Sequence, residues 1–232
     1  MYRIRKSDQR GHANHGWLDT YHTFSFAGYY DPEHVHFRHL RVINEDRIGA
    51  GQGFGTHPHD NMEIITYVVS GAIAHKDSMG NGSVIRPGEI QAMSAGTGIT
   101  HSEYNPSDTQ QTHLLQIWLM PENQGLKPDY QQKSYVDFAD KNTLVLIASN
   151  NPDANAIVVN SNVDLYRAEM DSGHAVEHVL AAGRFGWIQL IKGAVDVNGH
   201  ALTSGDGLAV SAVGNLTISA SADAEFLLFD MG

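Results

Sequence analysis

Cysteine is missing from the 232 residues of this chain. This absence excludes disulfides, thiolate metal sites and cysteine nucleophiles, so any metal must be bound through nitrogen and oxygen atoms. Long apolar runs are also missing, and the first residues are polar, so we expect neither a signal peptide nor a segment that spans a membrane. The default expectation is a cytoplasmic protein.

Basic residues are scarce relative to acidic ones. The chain has 15 Lys and Arg against 26 Asp and Glu, which gives a formal net charge of −11, and the basic residues are scattered along the sequence. Binding to a phosphate backbone requires clustered cations, so we expect no direct contact with nucleic acid. The 14 histidines are the more unusual feature, because imidazole suits borderline transition metals.

Periodicity predicts strands along almost the whole chain. Short runs rich in Val, Ile, Tyr and Phe are interrupted by Gly, Asn, Asp and Pro at intervals of roughly 8–12 residues, which is typical of an all-β protein. A hairpin turn is indicated between Val197 and Ala201 by the Asn-Gly pair. The clearest predicted strands are Met62–Val69, Ile90–Met93, His113–Met120, Thr143–Ile147, Trp187–Ile191 and Phe226–Phe229.

The two halves of the chain contain an internal repeat. Thr66–Ile73 resembles Gln189–Val195 with Gly71 and Gly193 aligned, and further along Pro87–Ser94 resembles Ser204–Ser211. A repeated strand and glycine turn predicts two copies of one small β-barrel or jelly roll in tandem. We expect an N-terminal domain at 1–123, a linker region at 124–141 and a C-terminal domain at 142–232.

Two short segments of the N-terminal half have the spacing of metal ligands. His57 and His59 are two residues apart on a predicted strand, so both side chains face the same side, with Cα atoms roughly 7 Å apart. His101 and Glu103 repeat this spacing after a second glycine-rich turn. Together the four residues offer three nitrogens and one oxygen, and we predict that they bind a single metal ion.

The ligand types also predict how the metal is used. Three neutral imidazoles and one carboxylate leave about two open positions on an octahedral divalent ion, whereas a structural zinc site is normally closed. Open positions favour catalysis over a structural role. Fe(II) is the preferred ion, and Cu, Mn, Ni or Zn would also suit these ligands.

The same motifs resemble the pirin family of the cupin superfamily, in particular bacterial pirin-like quercetin 2,3-dioxygenases. The match covers most of residues 1–120, while the C-terminal half is similar only loosely. The resemblance implies a bicupin fold whose metal ligands are the four residues named above. It is carried by Gly55–His59 with Glu63, Gly98–Glu103, His22–Ala27, Leu40–Asn44 and His75–Gly80.

The resemblance further implies a metal-dependent dioxygenase with a small aromatic, flavonol-like substrate and O2. A flavonol such as quercetin would bind the metal through its 3-oxygen, and O2 would cleave the central ring with release of CO. Glu103 is the expected general base, because it is the only carboxylate predicted at the metal. The C-terminal domain is expected to bind no metal, since the aligned positions are Val179, Ala181, Ile218 and Ala220.

Other functions remain open at this point. The chain could be a non-enzymatic, metal-dependent or redox-responsive regulatory protein with a protein partner, and a sealed metal would favour that alternative. Sugar-phosphate isomerisation lacks the cluster of Lys and Arg that it would need near the ligands.

Several other residues have a less specific interpretation. His34 and His36 have the spacing of the ligand pairs but no glycine-rich approach, so we expect a surface pair. Phe54 and Trp118 could line a pocket for an aromatic substrate, although core packing is the simpler assignment for both. An outer or purely structural role is expected for Glu63, His75, Asp77 and His113.

Overall fold

The computed structural model describes residues 1–232 and consists almost entirely of β-strands, with two short 3-10 helices at Ser7–Gln9 and Val136–Phe138. The all-β prediction is confirmed, and each of the six strands predicted most clearly has an observed counterpart. None of the helical segments has the length or apolar composition needed to cross a membrane. The strands are β1 (Tyr2–Arg5), β2 (Gly11–Asn14), β3 (Leu18–His22), β4 (Leu40–Ile48), β5 (Gly53–His59), β6 (Glu63–Ser70), β7 (Ile73–Asp77), β8 (Gly82–Ile85), β9 (Glu89–Ser94), β10 (Ile99–Tyr104), β11 (Thr112–Leu119), β12 (Asp129–Ser134), β13 (Val145–Ser149), β14 (Ile157–Val158), β15 (Val163–Met170), β16 (Ala175–Val179), β17 (Phe185–Lys192), β18 (Ala194–Val197), β19 (His200–Thr203), β20 (Gly207–Val210), β21 (Asn215–Ala220) and β22 (Ala224–Met231).

The chain forms two compact units, which confirms the two-domain bicupin prediction. The N-terminal unit has a seven-stranded sheet in the order β12-β9-β6-β11-β4-β3-β2 and a four-stranded sheet in the order β5-β10-β7-β8. The C-terminal unit has the same plan, with β1-β20-β17-β22-β15-β13 in one sheet and β16-β21-β18-β19 in the other.

The boundaries of the two units differ from the N-terminal domain at 1–123, the linker at 124–141 and the C-terminal domain at 142–232 that were expected from the sequence. Met1–Arg10 belongs to the C-terminal unit, because β1 pairs with β20. The expected linker contains β12, which pairs with β9 of the N-terminal unit. Ile157–Ser161 also belongs to the N-terminal unit, where the Gln131 side chain bonds both backbone groups of Val158 at 3.1 Å.

The repeated glycines occupy equivalent turns in the two units. Gly71 lies between β6 and β7 with φ of 78°, and Gly193 lies between β17 and β18 with φ of 80°. A Cβ atom at either position would collide with backbone, at 2.9 Å from the Gln111 carbonyl oxygen and 1.9 Å from the Asp223 carbonyl oxygen. Both the left-handed conformation and the close approach therefore require glycine.

The interior of the C-terminal unit is filled by apolar side chains. Ile218 and Ala220, which align with the second pair of predicted ligands, lie in this core and are fully or almost fully buried. Val179 lies at the end of β16 and is exposed. The absence of a metal from this unit stays a prediction, and the apolar packing is consistent with it.

Candidate metal centre

The inner face of the four-stranded sheet carries the polar residues predicted to bind metal. His101 on β10 lies directly opposite His57 on β5 and Asp77 on β7. Glu103 lies opposite His75 on β7. Because side chains alternate along a strand, His101 and Glu103 point to the same side, and both are buried. Cross-strand pairing therefore assembles residues that are distant in sequence.

An irregularity in β5 places Phe54 on this inner face as well. The pairing of β10 with β5 changes register between His101 and Glu103, so that Glu103 lies opposite Phe54. Simple alternation would put Phe54 on the opposite face from His57, but a bulge shifts that alternation by one residue. As a result the rings of Phe54 and His57 meet edge to face, with centroids 6.5 Å apart.

Three imidazoles converge at one point of the N-terminal unit. One ring nitrogen from each of His57, His59 and His101 lies within 4.8 Å of the other two. The ring centroids are 4.4 Å apart for His57 and His101, 4.8 Å for His57 and His59, and 4.9 Å for His59 and His101. Such a triangle of nitrogens can hold a transition metal ion.

The protonation of these rings leaves nitrogen lone pairs for a metal. Nδ1 of His57 lies 2.7 Å from the Gly55 carbonyl oxygen, which only accepts, so Nδ1 carries the proton and Nε2 is bare. Nε2 of His101 is buried and has no hydrogen-bond partner. Burial lowers the pKa of His59 to about 4 and that of His101 to about 3, so both rings are neutral near pH 7.

A chain of hydrogen bonds orients His101 from behind. Nε2 of His75 lies 3.5 Å from the Asp77 carboxylate, and Nδ1 of His75 lies 3.4 Å from Nδ1 of His101. Since a carboxylate only accepts, His75 donates to Asp77 and accepts from His101. This order assigns the proton of His101 to Nδ1 and leaves Nε2 bare. Asp77 itself accepts from the backbone of Met79 and Asn81 at 2.9 Å.

Glu103 lies beside this triangle and is held from the facing sheet. It forms a second close group with His75 and His101, in which the ligand atoms lie within 4.8 Å of one another. The Gln116 amide donates to both carboxylate oxygens at 3.1 and 2.9 Å, and the Thr66 hydroxyl donates to one of them at 3.3 Å. Burial raises the pKa of Glu103 to about 7, although both hydrogen bonds act in the opposite direction. A carboxyl of this kind can exchange a proton near neutral pH.

These residues open into a cavity of about 470 Å³, a volume within the range of small-molecule sites. Its floor includes three polar side chains that lie side by side on neighbouring strands of the large sheet: His22, Asn44 and Gln116. Its walls are mostly aromatic and aliphatic, and they include Trp17, Phe26, Phe54, Ile64 and Trp118. Phe54 and Trp118, for which core packing was the simpler assignment, thus also line the cavity.

Glu63 takes no part in either group of potential ligands. Its carboxylate accepts from the Ser94 hydroxyl at 2.7 Å and from the Asn160 backbone at 3.1 Å, so it anchors the segment Ile157–Ser161 within the N-terminal unit. His113 is likewise structural, because it pairs with Glu45 at 3.0 Å.

The surface pair predicted at His34 and His36 has no metal-binding geometry. His34 bonds to Asp31 at 2.9 Å, and His36 is exposed. Neither histidine belongs to a group of potential ligands. Spacing alone therefore does not distinguish this pair from His57 and His59, whereas cross-strand neighbours do.

Polar residues of the large sheet also face the cavity, above all Asp46, and they were not predicted from the sequence. Asp46 lies on β4, is 4% exposed, and has one carboxylate oxygen, Oδ1, without a hydrogen-bond partner. A signal was present in the sequence, because Asn44 and Asp46 lie on the same face of β4 as the apolar residues Val42 and Ile48. Two polar residues on an inward face indicate a cavity.

The pKa of Asp46 predicts how stability depends on pH. Burial raises its pKa from 3.8 to about 7. Between about pH 4 and pH 7 the folded chain therefore keeps a proton that the unfolded chain releases, so the free energy of unfolding falls as the pH rises through this window. Asp46→Asn should remove this contribution and make the metal-free protein more stable than the wild type at pH 8, by on the order of 1 kcal/mol or more, and no more stable at pH 4. Urea denaturation at both pH values measures the difference, and equal stabilities at pH 8 would contradict this prediction.

Comparison with known proteins identifies the family of the chain. The Pirin family model matches residues 3–119, and the model described as the quercetinase C-terminal cupin domain matches residues 146–231. A protein named quercetin 2,3-dioxygenase from Escherichia coli (strain K12) is 51% identical over 233 residues, which cover 100% of this chain and 99% of that protein. A pirin-like protein from Caulobacter vibrioides is 39% identical over 224 residues, 96% of each chain.

A solved structure agrees with this relationship over the full length. The crystal structure of the bacterial pirin YhhW from Escherichia coli, in complex with nickel(II), superposes with a TM-score of 0.95 at 50% identity and covers 100% of this chain and 99% of the other. The two domain matches, the full-length relatives and the shared fold give one result: the chain belongs to the pirin family of cupin proteins.

Proposed function

We propose that this chain is a metal-dependent dioxygenase that cleaves the central ring of a flavonol such as quercetin with O2 and releases CO. The observation that carries the proposal is the convergence of His57, His59 and His101 on a cavity of about 470 Å³ that also contains Glu103. The full-length relative named quercetin 2,3-dioxygenase supports the choice of substrate and co-substrate.

The donor atoms fit a single divalent transition metal. We propose His57, His59, His101 and Glu103 as its ligands, because nitrogens of the three rings lie within 4.8 Å of one another and the buried Nε2 of His101 has no other partner. A cation beside Glu103 would also lower its pKa and favour the carboxylate. Fe(II) remains the ion we propose; nickel(II), which the E. coli relative contains, suits the same ligand types.

Each side chain then has a defined part in the reaction. The chemistry that the metal supplies is a lower pKa for the flavonol 3-hydroxyl and a deprotonated ring that is electron-rich enough to react with O2. Glu103 accepts the proton of that hydroxyl, because its carboxylate lies within 4.8 Å of a ring nitrogen of His101 and so beside the proposed metal. Gln116 and Thr66 hold Glu103 in place from the facing sheet.

The hydrogen-bond chain behind His101 predicts a role for Asp77 in metal affinity. In Asp77→Asn an amide NH2 would replace one carboxylate oxygen that now accepts a hydrogen bond, and His75 would lose the partner that fixes its orientation. We expect the affinity for metal to fall by about 10- to 100-fold, which is typical when an outer partner of a ligand is removed. Competition with a chelator measures the affinity. The control is Asp129→Asn, which changes an exposed carboxylate of the same unit. Equal metal affinities of the two variants would contradict the proposed role of the hydrogen bonds behind His101.

The cavity favours catalysis over the regulatory alternative. A regulatory protein needs only a metal whose state a partner can sense, whereas an enzyme needs space for a substrate next to the metal. The described cavity provides that space, and no Lys or Arg lines it, which also argues against a sugar phosphate as ligand.

The function is tested with metal-reconstituted protein and quercetin, in parallel with and without O2. We expect loss of the flavonol absorbance only in air, with one O2 consumed and one CO released per molecule of quercetin. A protein that contains stoichiometric metal and shows no oxygen-dependent loss of quercetin would overturn the proposal.

A further inference from the structure

Asp46 lies in the wall of the cavity on the sheet that faces the histidines. It belongs to β4, and its neighbours across the sheet are Thr20 on β3 and Leu114 on β11. It is separated from Asn44, in the polar row of the floor, by two residues or roughly 7 Å along the strand. Glu103 and the three histidines belong to the opposite, four-stranded sheet. Asp46 therefore lines the same cavity as the histidines and Glu103, but from the opposite sheet.

One oxygen of this carboxyl has no partner in the protein. The Thr20 hydroxyl bonds to the Asp46 carboxyl, whereas Oδ1 is buried without a hydrogen bond. The charged groups that act on Asp46 are Glu45 and Glu103, both acidic, and no Lys or Arg lines the cavity. A buried polar atom without a partner is unfavourable in the folded chain, and such an atom indicates that a ligand supplies the missing bond.

The remaining walls define the shape of that ligand. Trp17 packs edge to face on Phe54 and Phe26 packs edge to face on Trp118, with ring centroids 5.3 Å apart in both pairs. These pairs line the cavity, so a flat apolar ring is the shape that they accommodate. Trp118 also presents a buried Nε1 without a partner, which can donate to an oxygen of the ligand. Apart from the imidazole nitrogens, the cavity thus combines aromatic walls with a free acceptor at Asp46 and a free donor at Trp118.

We propose that Asp46 binds a ring hydroxyl of a planar, polyhydroxylated aromatic substrate, at a point separate from the three histidines, and so determines which flavonols are preferred. The inference rests on the proposed function, since it takes the histidines to hold the 3-oxygen of the same molecule. Oδ1 of Asp46 accepts a hydrogen bond from the hydroxyl, and the hydrogen bond from Thr20 keeps the carboxyl oriented. A flavonol without further hydroxyl groups would leave Oδ1 without a partner.

The test compares quercetin with 3-hydroxyflavone, which has the metal-binding hydroxyl and no other. Dissociation constants are measured by fluorescence quenching with zinc-loaded protein under nitrogen, so that no turnover intervenes. The wild type should bind quercetin more tightly, and Asp46→Ala should reduce this preference by about ten- to a hundredfold while binding of 3-hydroxyflavone changes little. Asp46→Asn keeps the size and one acceptor oxygen and should retain part of the preference.

Each result has a separate meaning. Asp129→Asn should leave both constants unchanged, and thermal melting shows whether each Asp46 variant is folded. If Asp46→Ala and Asp46→Asn weaken both ligands equally, the role is structural and the inference is overturned. If the wild type binds neither flavonol in a metal-dependent way, both the proposed function and the inference about Asp46 fail. This outcome is recognised before any variant is made.

Discussion

His101→Ala is expected to leave the chain without tightly bound metal and without dioxygenase activity. The substitution removes the one ring that lies in both groups of potential ligands, and with it the buried Nε2 that has no other partner. Loss of an outer partner typically lowers metal affinity by about 10- to 100-fold, so loss of a ligand should cost more than about a hundredfold. Elemental analysis after dialysis should give close to one metal per chain for the wild type and almost none for the variant.

His36→Ala is the matched control for this experiment. His36 belongs to a pair with the same spacing as His57 and His59, but it is exposed and lies in neither group of potential ligands. It should retain full metal content and full turnover. Normal metal content in His101→Ala would mean that the ion is bound elsewhere.

Glu103→Gln should retain part of the metal and turn over slowly. The amide keeps the size of the side chain and can still be held by Gln116, but it cannot accept a proton from the flavonol. Removal of a general base typically costs about 10²- to 10⁴-fold in rate, so kcat should fall by that order while quercetin still binds. Steady-state kinetics on samples of known metal content give kcat per bound metal, which separates a slower reaction from a lower metal occupancy.

Glu45→Gln is the corresponding control for a buried glutamate. Glu45 is one residue from Asn44 and Asp46 on β4 and therefore faces away from the cavity, where it pairs with Arg47 and His113 at 3.0 Å. Its replacement should leave kcat per bound metal unchanged. If Glu103→Gln also turns over at the wild-type rate per metal, another group accepts the proton.

Local patterns predicted the six clearest strands and the two pairs of residues that the structure brings close together. Alternation of apolar residues is a local property of a strand, so the six clearest strands and the hairpin at Asn198 and Gly199 could be predicted. The spacing of His57 and His59 and of His101 and Glu103 fixes the face to which each pair points. The structure then brings the three histidines together and places Glu103 next to His101.

Long-range pairing decided what could not be predicted. The position of Phe54 depends on a bulge that forms only when β5 pairs with β10. The unit to which Met1–Arg10 belongs depends on pairing between β1 and β20, about 200 residues away in sequence. Asp46 shares the cavity with Glu103 because two sheets face each other, and no local pattern contains that information.

The most direct test of the proposed metal centre is an anomalous difference map from crystals of the metal-loaded protein, recorded above and below the absorption edge of the metal. We expect one strong peak per chain in the N-terminal unit, about 2.0–2.2 Å from a nitrogen of each of His57, His59 and His101. A peak at any other position, or none at these three rings in protein that elemental analysis shows to contain metal, would contradict it.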